Sequence, residues 1–263
     1  MFFFRVTEYL RYLILSGYRK GHGIHSPFLY DVVSRVFRNK TDQDIVNSIE
    51  RARDRLIADP GTISICDLGS GPVRGVKNEG RRKVSEIAKY SSVPRKYGIL
   101  LSNMAKEFGK PYIIELGTSF GISTLYMASA SPDLPVHTIE GCPETAKVAS
   151  ENFVNEGVKN IELHFGSFDD KLPEVFDSAK SPGLIFIDGN HNKEPLLKYF
   201  RFIADNSGSQ TVVIVDDIYL SPGMKEAWQK IRNHEKVSAT IDIYRMGIVF
   251  FRKGIISTYK RQR

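Results

Sequence analysis

Two cysteines in 263 residues, Cys66 and Cys142, are too few for a disulfide framework or a structural zinc site. A reducing compartment suits such a chain, and a cytoplasmic protein is expected. No run reaches the roughly 18 uncharged apolar residues that a membrane span needs. The apolar amino terminus is broken by Arg5, Glu8 and Arg11, and no small-residue cleavage site follows. It therefore reads as an amphipathic helix and not as a signal peptide. Internal repeats and low-complexity segments are absent. So are the second glycine of a dinucleotide loop and the lysine of a phosphate-cradling loop, which argues against NAD or ATP. Acidic excess is lacking as well: the net charge is +7. The basic residues are scattered, apart from Arg81-Arg82-Lys83 and the tail Lys260-Arg261-Gln262-Arg263. A field of this size steers an acidic small molecule as readily as a nucleic acid.

What is present divides near residue 110. Residues 1–110 read as a helical extension with a glycine-rich insert. Val6, Tyr9, Leu10, Leu13 and Ile14 recur at helical spacing. Ser26 is placed to cap a second helix that Pro27 opens, and residues 41–58 and 82–108 are helical. The stretch Ile65-Cys66-Asp67-Leu68-Gly69-Ser70-Gly71-Pro72 is followed by a polar, basic run, so 66–83 reads as a loop or hairpin. From 111 to 263 the pattern alternates. Short β-branched runs at 112–115, 136–140, 161–164, 184–188 and 211–216 are separated by helical segments at 121–130, 143–156, 170–179 and 193–205. Such alternation predicts a doubly wound, Rossmann-like α/β sheet of parallel strands. A helix at 222–234 and strands at 238–244 and 247–252 follow. The last two are so close that they must form an antiparallel hairpin, giving seven strands in all.

The candidate site lies where these strands end, since ligands of open α/β sheets bind beyond the carboxyl ends. The run Ile113-Ile114-Glu115-Leu116-Gly117-Thr118-Ser119-Phe120-Gly121 is a buried strand turning through glycines into a helix. The first helical turn has unpaired N–H groups that attract an anion. The next strand ends in Glu140-Gly141, with the acid 25 positions after Glu115, where it suits the hydroxyls of a ribose. Ser167 and Phe168 follow the third strand, where an adenine is expected. A single adenosine carrying an amino acid fits these loops. Asp188 closes the fourth strand, and Asp216 and Asp217 close the fifth. Three such carboxylates repel one another unless a cation lies between them, and oxygen-only ligands suit Mg²⁺ or Ca²⁺.

Five parallel strands ending in an antiparallel hairpin resemble the class I methyltransferases. Residues 111–252 resemble their metal-dependent small-molecule O-methyltransferases, the catechol and caffeoyl-CoA type. The whole chain resembles a set of uncharacterised bacterial members of this class, through His22-Gly23-Ile24-His25-Ser26-Pro27-Phe28 and Phe186-Ile187-Asp188-Gly189-Asn190-His191 among other phrases. The resemblance implies S-adenosylmethionine at Glu115, Gly117, Thr118, Ser119, Gly121, Glu140, Gly141, Ser167, Phe168 and Asp188. It also implies a divalent cation at Asp188, Asp216 and Asp217, and methylation of a small-molecule acceptor at oxygen. The catechol enzymes carry a lysine base three residues past the fourth-strand acid; here His191 stands in that place, with Lys193 two residues on. Asp188, His191 and Lys193 are thus the catalytic candidates. The apolar amino terminus suits packing on the core or a homodimer contact, and no membrane role is expected. Two other readings compete. A nucleic-acid methyltransferase lacks its Asn-Pro-Pro-aromatic type motif here, and a non-catalytic scaffold is disfavoured by the intact acids.

Overall fold

The computed structural model describes residues 2–15, 26–66, 80–176 and 180–252. His22, His25, most of the glycine-rich insert and the basic tail lie outside them. Contacts group the chain into two compact units, Lys40–Leu184 and Met1–Asn39 with Ile185–Arg263.

In the first unit α3 (Gln43–Ala58), α4 (Val84–Ser91) and α5 (Arg95–Phe108) precede the sheet, and β1 (Thr62–Ser64) pairs antiparallel with β2 (Arg81–Lys83). These two strands flank the insert, most of which lies outside the described residues. Helix α3 starts where Asp42 accepts from the Asp44 N–H at 2.9 Å. It buries Val46, Ile49, Ala52 and Leu56, one apolar stripe at helical spacing. Then come β3 (Ile113–Leu116), α6 (Ile122–Ala130), β4 (Val136–Glu140), α7 (Pro143–Asn155), β5 (Ile161–Phe165) and α8 (Phe168–Val175). Helix α8 begins two residues earlier than the sequence pattern suggests, because Ser167 caps it by accepting from the Asp170 N–H at 3.2 Å.

The second unit holds α1 (Phe2–Leu15) and α2 (Pro27–Asp31), the latter running into a π turn at Val32–Val36. Ser26 caps α2 as expected, accepting from Leu29 N. After β6 (Leu184–Ile187), whose first residue belongs to the other unit, come α9 (Lys193–Asn206), β7 (Val212–Val215), α10 (Pro222–Arg232), β8 (Ala239–Asp242) and β9 (Gly247–Phe250). Helix α1 docks on its own unit: Glu8 pairs with Lys225 at 2.7 Å and Tyr9 packs edge-on against Tyr244 at 5.0 Å.

Strands β3–β9 form one mixed sheet in the order β5-β4-β3-β6-β7-β9-β8. The β3–β4 and β4–β5 pairs are parallel, and β7–β9 and β8–β9 are antiparallel. This is the expected seven-stranded Rossmann-like layout with a terminal hairpin. Every residue of β3, β6, β7 and β9 is buried, whereas the outer strands β5 and β8 are partly exposed. Gly247 lets β9 lie against Trp228: a Cβ there would meet the indole at 2.5 Å.

Candidate active site

The turn after β3 is held by the strand beside it. The N–H groups of Gly117 and Thr118 both donate to the Ile139 carbonyl, at 3.1 and 3.3 Å. The backbone then passes through left-handed conformations at Gly117, Ser119 and Gly121, with φ of 102°, 48° and 80°. Gly121 is required twice over, because a side chain there would also strike the Phe153 ring. Among the described residues no side chain caps α6, which leaves its first N–H groups without a capping side chain.

Glu140 fastens this turn. One carboxylate oxygen accepts from Ser119 N and the other from Cys142 N, each at 2.9 Å. Burial raises its pKa, against these backbone donors and Gly141. Glu115 lies deeper, with no exposed surface. Its Oε2 accepts from Thr124 at 2.5 Å and from Thr138 at 2.7 Å. Thr138 spends its only proton there, so the 2.6 Å contact between the Thr118 and Thr138 hydroxyls must have Thr118 as donor. Burial pushes Glu115 up to about 7, with Ser123, Thr124 and Thr138 opposing; among the described residues no donor meets Oε1 in hydrogen-bonding geometry. Glu115 is thus a buried anchor beneath the turn, while Glu140 lies at its rim. Gly141 adjoins Glu140, and Ser167 is engaged as a helix cap with Asp170. Cys142 is a packing residue: its sulfur accepts from Cys66 N and donates to Ser64 O, each at 3.3 Å, which seats the β1 hairpin beside this loop.

In the second unit the acids at the ends of β6 and β7 come together. Asp216 is fully buried, and its N–H donates to the Ile187 carbonyl at 2.9 Å. Burial pushes the Asp188 carboxyl well up, reinforced by Asp216 and Asp217. The same effects raise Asp216, with Arg245 opposing. The cation among the acids is Arg245, in the β8–β9 turn. Its Nε donates to Asp216 Oδ1 and Oδ2 at 3.0 and 3.1 Å, and its Nη2 donates to Oδ2 at 2.7 Å. Burial works against the guanidinium's charge, yet Asp216, Asp217 and Asp188 together hold it firmly protonated. Asp242 shapes the turn that presents it, accepting from Tyr244 N at 2.9 Å, the Tyr219 hydroxyl at 2.7 Å and Trp228 Nε1 at 3.0 Å.

Of the catalytic candidates, His191 Nε2 lies 3.6 Å from Asp188 Oδ1. Lys193 points elsewhere and pairs with Glu226 at 2.6 Å on an exposed surface. Asn190 and Asp217, at the ends of β6 and β7, carry φ of 51°. With Ser119 they put left-handed residues after three strand ends, the kind of strain that gathers at functional sites. At the expected metal set, Asp216 already has a cationic partner. Both Asp216 oxygens are already taken by Arg245. Sequence reasoning missed Arg245. Its only signal was a basic residue in a hairpin turn of a chain whose strand-end acids lacked a counterion.

Residues 114–218 match a family model described as a methyltransferase domain. This stretch of the chain is thus similar to a methyltransferase domain. A catechol O-methyltransferase from Niastella koreensis is 32% identical over 130 residues, 48% of this chain and 58% of that protein. A tRNA1(Val) (adenine(37)-N6)-methyltransferase from Actinobacillus succinogenes is 29% identical over 131 residues, 48% of this chain and 56% of that protein. The chain thus spans a little under three fifths of the length of these relatives. The crystal structure of the O-methyltransferase TomG from Streptomyces achromogenes, in complex with SAM, superposes with a TM-score of 0.54. It is 25% identical and covers 62% of this chain and 82% of its own. Among the described residues no helix is long and apolar enough to cross a membrane.

Proposed function

We propose that this protein is an S-adenosylmethionine-dependent methyltransferase acting on a small-molecule acceptor, at oxygen, with residues 1–110 as an extension to the methyltransferase domain. The observation that carries the reading is the glycine turn after β3, locked to the strand-end carboxylate Glu140 within the matched domain. The donor set fits the cofactor. Gly117, Thr118, Ser119 and Gly121 lead into the uncapped end of α6, which suits the methionine carboxylate. We assign Glu140 and Gly141 to the ribose, and Ser167 and Phe168 to the adenine. Glu115 contributes from beneath, through Thr138 and Thr118, and not by touching the ligand.

The cofactor supplies an activated methyl group. The chain's own task is to orient the acceptor and manage one proton, and most of the acceleration comes from alignment. His191, beside Asp188, is the group that receives the acceptor's proton. Asp188 orients that imidazole, and Arg245 balances the charge of the acids, a role the sequence alone gave to a divalent ion. No step is assigned to a metal, because Arg245 already engages both oxygens of Asp216. The apolar side of α1, with Phe3, Leu10 and Ile14 exposed, is the surface a homodimer would cover.

Calorimetric titration with S-adenosylmethionine tests the reading. Binding in the micromolar range is expected, on the order of −8 kcal/mol. Glu140→Ala should weaken it at least tenfold, and Mg²⁺ should change neither affinity nor turnover. Absence of binding to the wild type would refute the assignment. The second reading, a nucleic-acid acceptor, is favoured by the tRNA-modifying relative. Methyl transfer to RNA but not to small hydroxylated aromatics would establish it instead.

A further inference from the structure

Three donor side chains converge on the outer part of the sheet in the first unit, and the function proposed above does not use them. In the parallel pairing of β4 with β5, His137 stands opposite Glu162, and Ile139 opposite His164. Paired residues of neighbouring strands share a face, and so do alternate residues of one strand. His137, Glu162 and His164 therefore project from the same side. His137 Nδ1 lies 3.1 Å from His164 Nε2 and 3.3 Å from Glu162 Oε2, and the three donor atoms all fall within 4.8 Å of one another.

Those separations have a meaning in coordination geometry. Four ligands set tetrahedrally about 2.0 Å from a zinc ion stand about 3.3 Å apart. The two spacings from His137 thus match two edges of such a tetrahedron. The surroundings favour the same role. The Tyr112 ring meets His137 edge-on at 5.6 Å and fixes the imidazole plane. Lys171, the nearby cation, is paired with Glu174 at 2.6 Å. Glu162 is 63% exposed, which leaves a coordination position open to water.

We propose that His137, Glu162 and His164 form a binding site for a divalent transition-metal ion of the zinc class, completed by water. Two imidazoles and one carboxylate suit Zn²⁺, Ni²⁺ or Cu²⁺ and not Mg²⁺ or Ca²⁺. On binding, the proton shared between the two rings gives way to the ion and its ring takes the other tautomer, so that His137 carries its proton on Nε2 and His164 on Nδ1, and no net proton is released. The ion clamps β5, the outermost strand on its side of the sheet, to β4. The inference does not depend on methyl transfer.

The test is titration of the full chain with Zn²⁺ and, for its visible spectrum, with Co²⁺. One ion should bind at this site, with the intense absorption of tetrahedral cobalt. His137→Gln and His164→Gln should each weaken binding at least tenfold and remove that absorption, and excess Mg²⁺ should not compete. Should a variant fail to fold, the imidazole NMR signals of the wild type decide. Those of His137 and His164 must move together on adding Zn²⁺. The proposal is overturned if the wild type binds no zinc, if the variants bind as the wild type does, or if other histidines move while these two stay still. The last two outcomes would place the ion elsewhere and leave the 3.1 Å contact as a plain imidazole–imidazole hydrogen bond.

Discussion

At the scale of single residues, Glu115 and Glu140 show how neighbourhood separates two like side chains. Glu140 is met by backbone N–H groups, whereas Glu115 is sealed beneath among side-chain hydroxyls. Because burial raises Glu115 to about 7 from an ordinary 4.5, the folded protein holds a proton that the unfolded chain releases. The stabilisation from that proton is complete below pH 4.5 and is lost as pH rises through 7. It amounts to about 3 kcal/mol across the window. Glu115→Gln cannot titrate. Without ligand, the gap between wild type and variant in denaturant unfolding should shift in the variant's favour from pH 5 to pH 8. A gap that stays constant over this range would show that Glu115 does not titrate there. Both acids were legible in the sequence as strand-end carboxylates. Which of them would be enclosed was not, because that depends on Thr124 and Thr138 closing over one of them from α6 and β4.

At the scale of elements, the β8–β9 hairpin does more than finish the sheet. Its turn carries Arg245 onto Asp216 at the end of β7. Removing the guanidinium leaves a fully buried carboxylate without its partner, which costs about 3–5 kcal/mol. Arg245→Ala should therefore lose stability of that size in chemical denaturation, and adding Asp216→Asn should restore part of it. A loss under about 1 kcal/mol would mean that the pair is incidental. The strands themselves were readable from runs of β-branched residues, most within a residue or two of their ends. The pairing of Arg245 with Asp216 was not readable. It joins positions 29 apart in the chain, and only the antiparallel register of β9 on β7 brings them together. His137 and His164 escaped notice for a related reason, since each looked like an isolated polar residue until two strands lay side by side.

At the scale of the whole molecule, a ligand that binds only the folded chain must raise its melting temperature. At a hundredfold excess over Kd the gain is about 2.7 kcal/mol, which for a chain of this size corresponds to about 5–10 °C. S-adenosylhomocysteine, the product form of the proposed cofactor, should produce such a rise in the wild type and little in Glu140→Ala, as read by differential scanning calorimetry. An equal rise in both would place the ligand elsewhere. The left-handed backbone at Ser119, Asn190 and Asp217 bears on how the protein can be changed. Each such residue costs on the order of 1 kcal/mol, and glycine would relieve it. A search for heat-tolerant variants would be drawn to these turns first. Because Ser119 lies in the turn that Glu140 fastens, and Asn190 and Asp217 lie beside the acids of the second unit, the hardiest descendants of such a search would tend to lose whatever those turns are shaped to do.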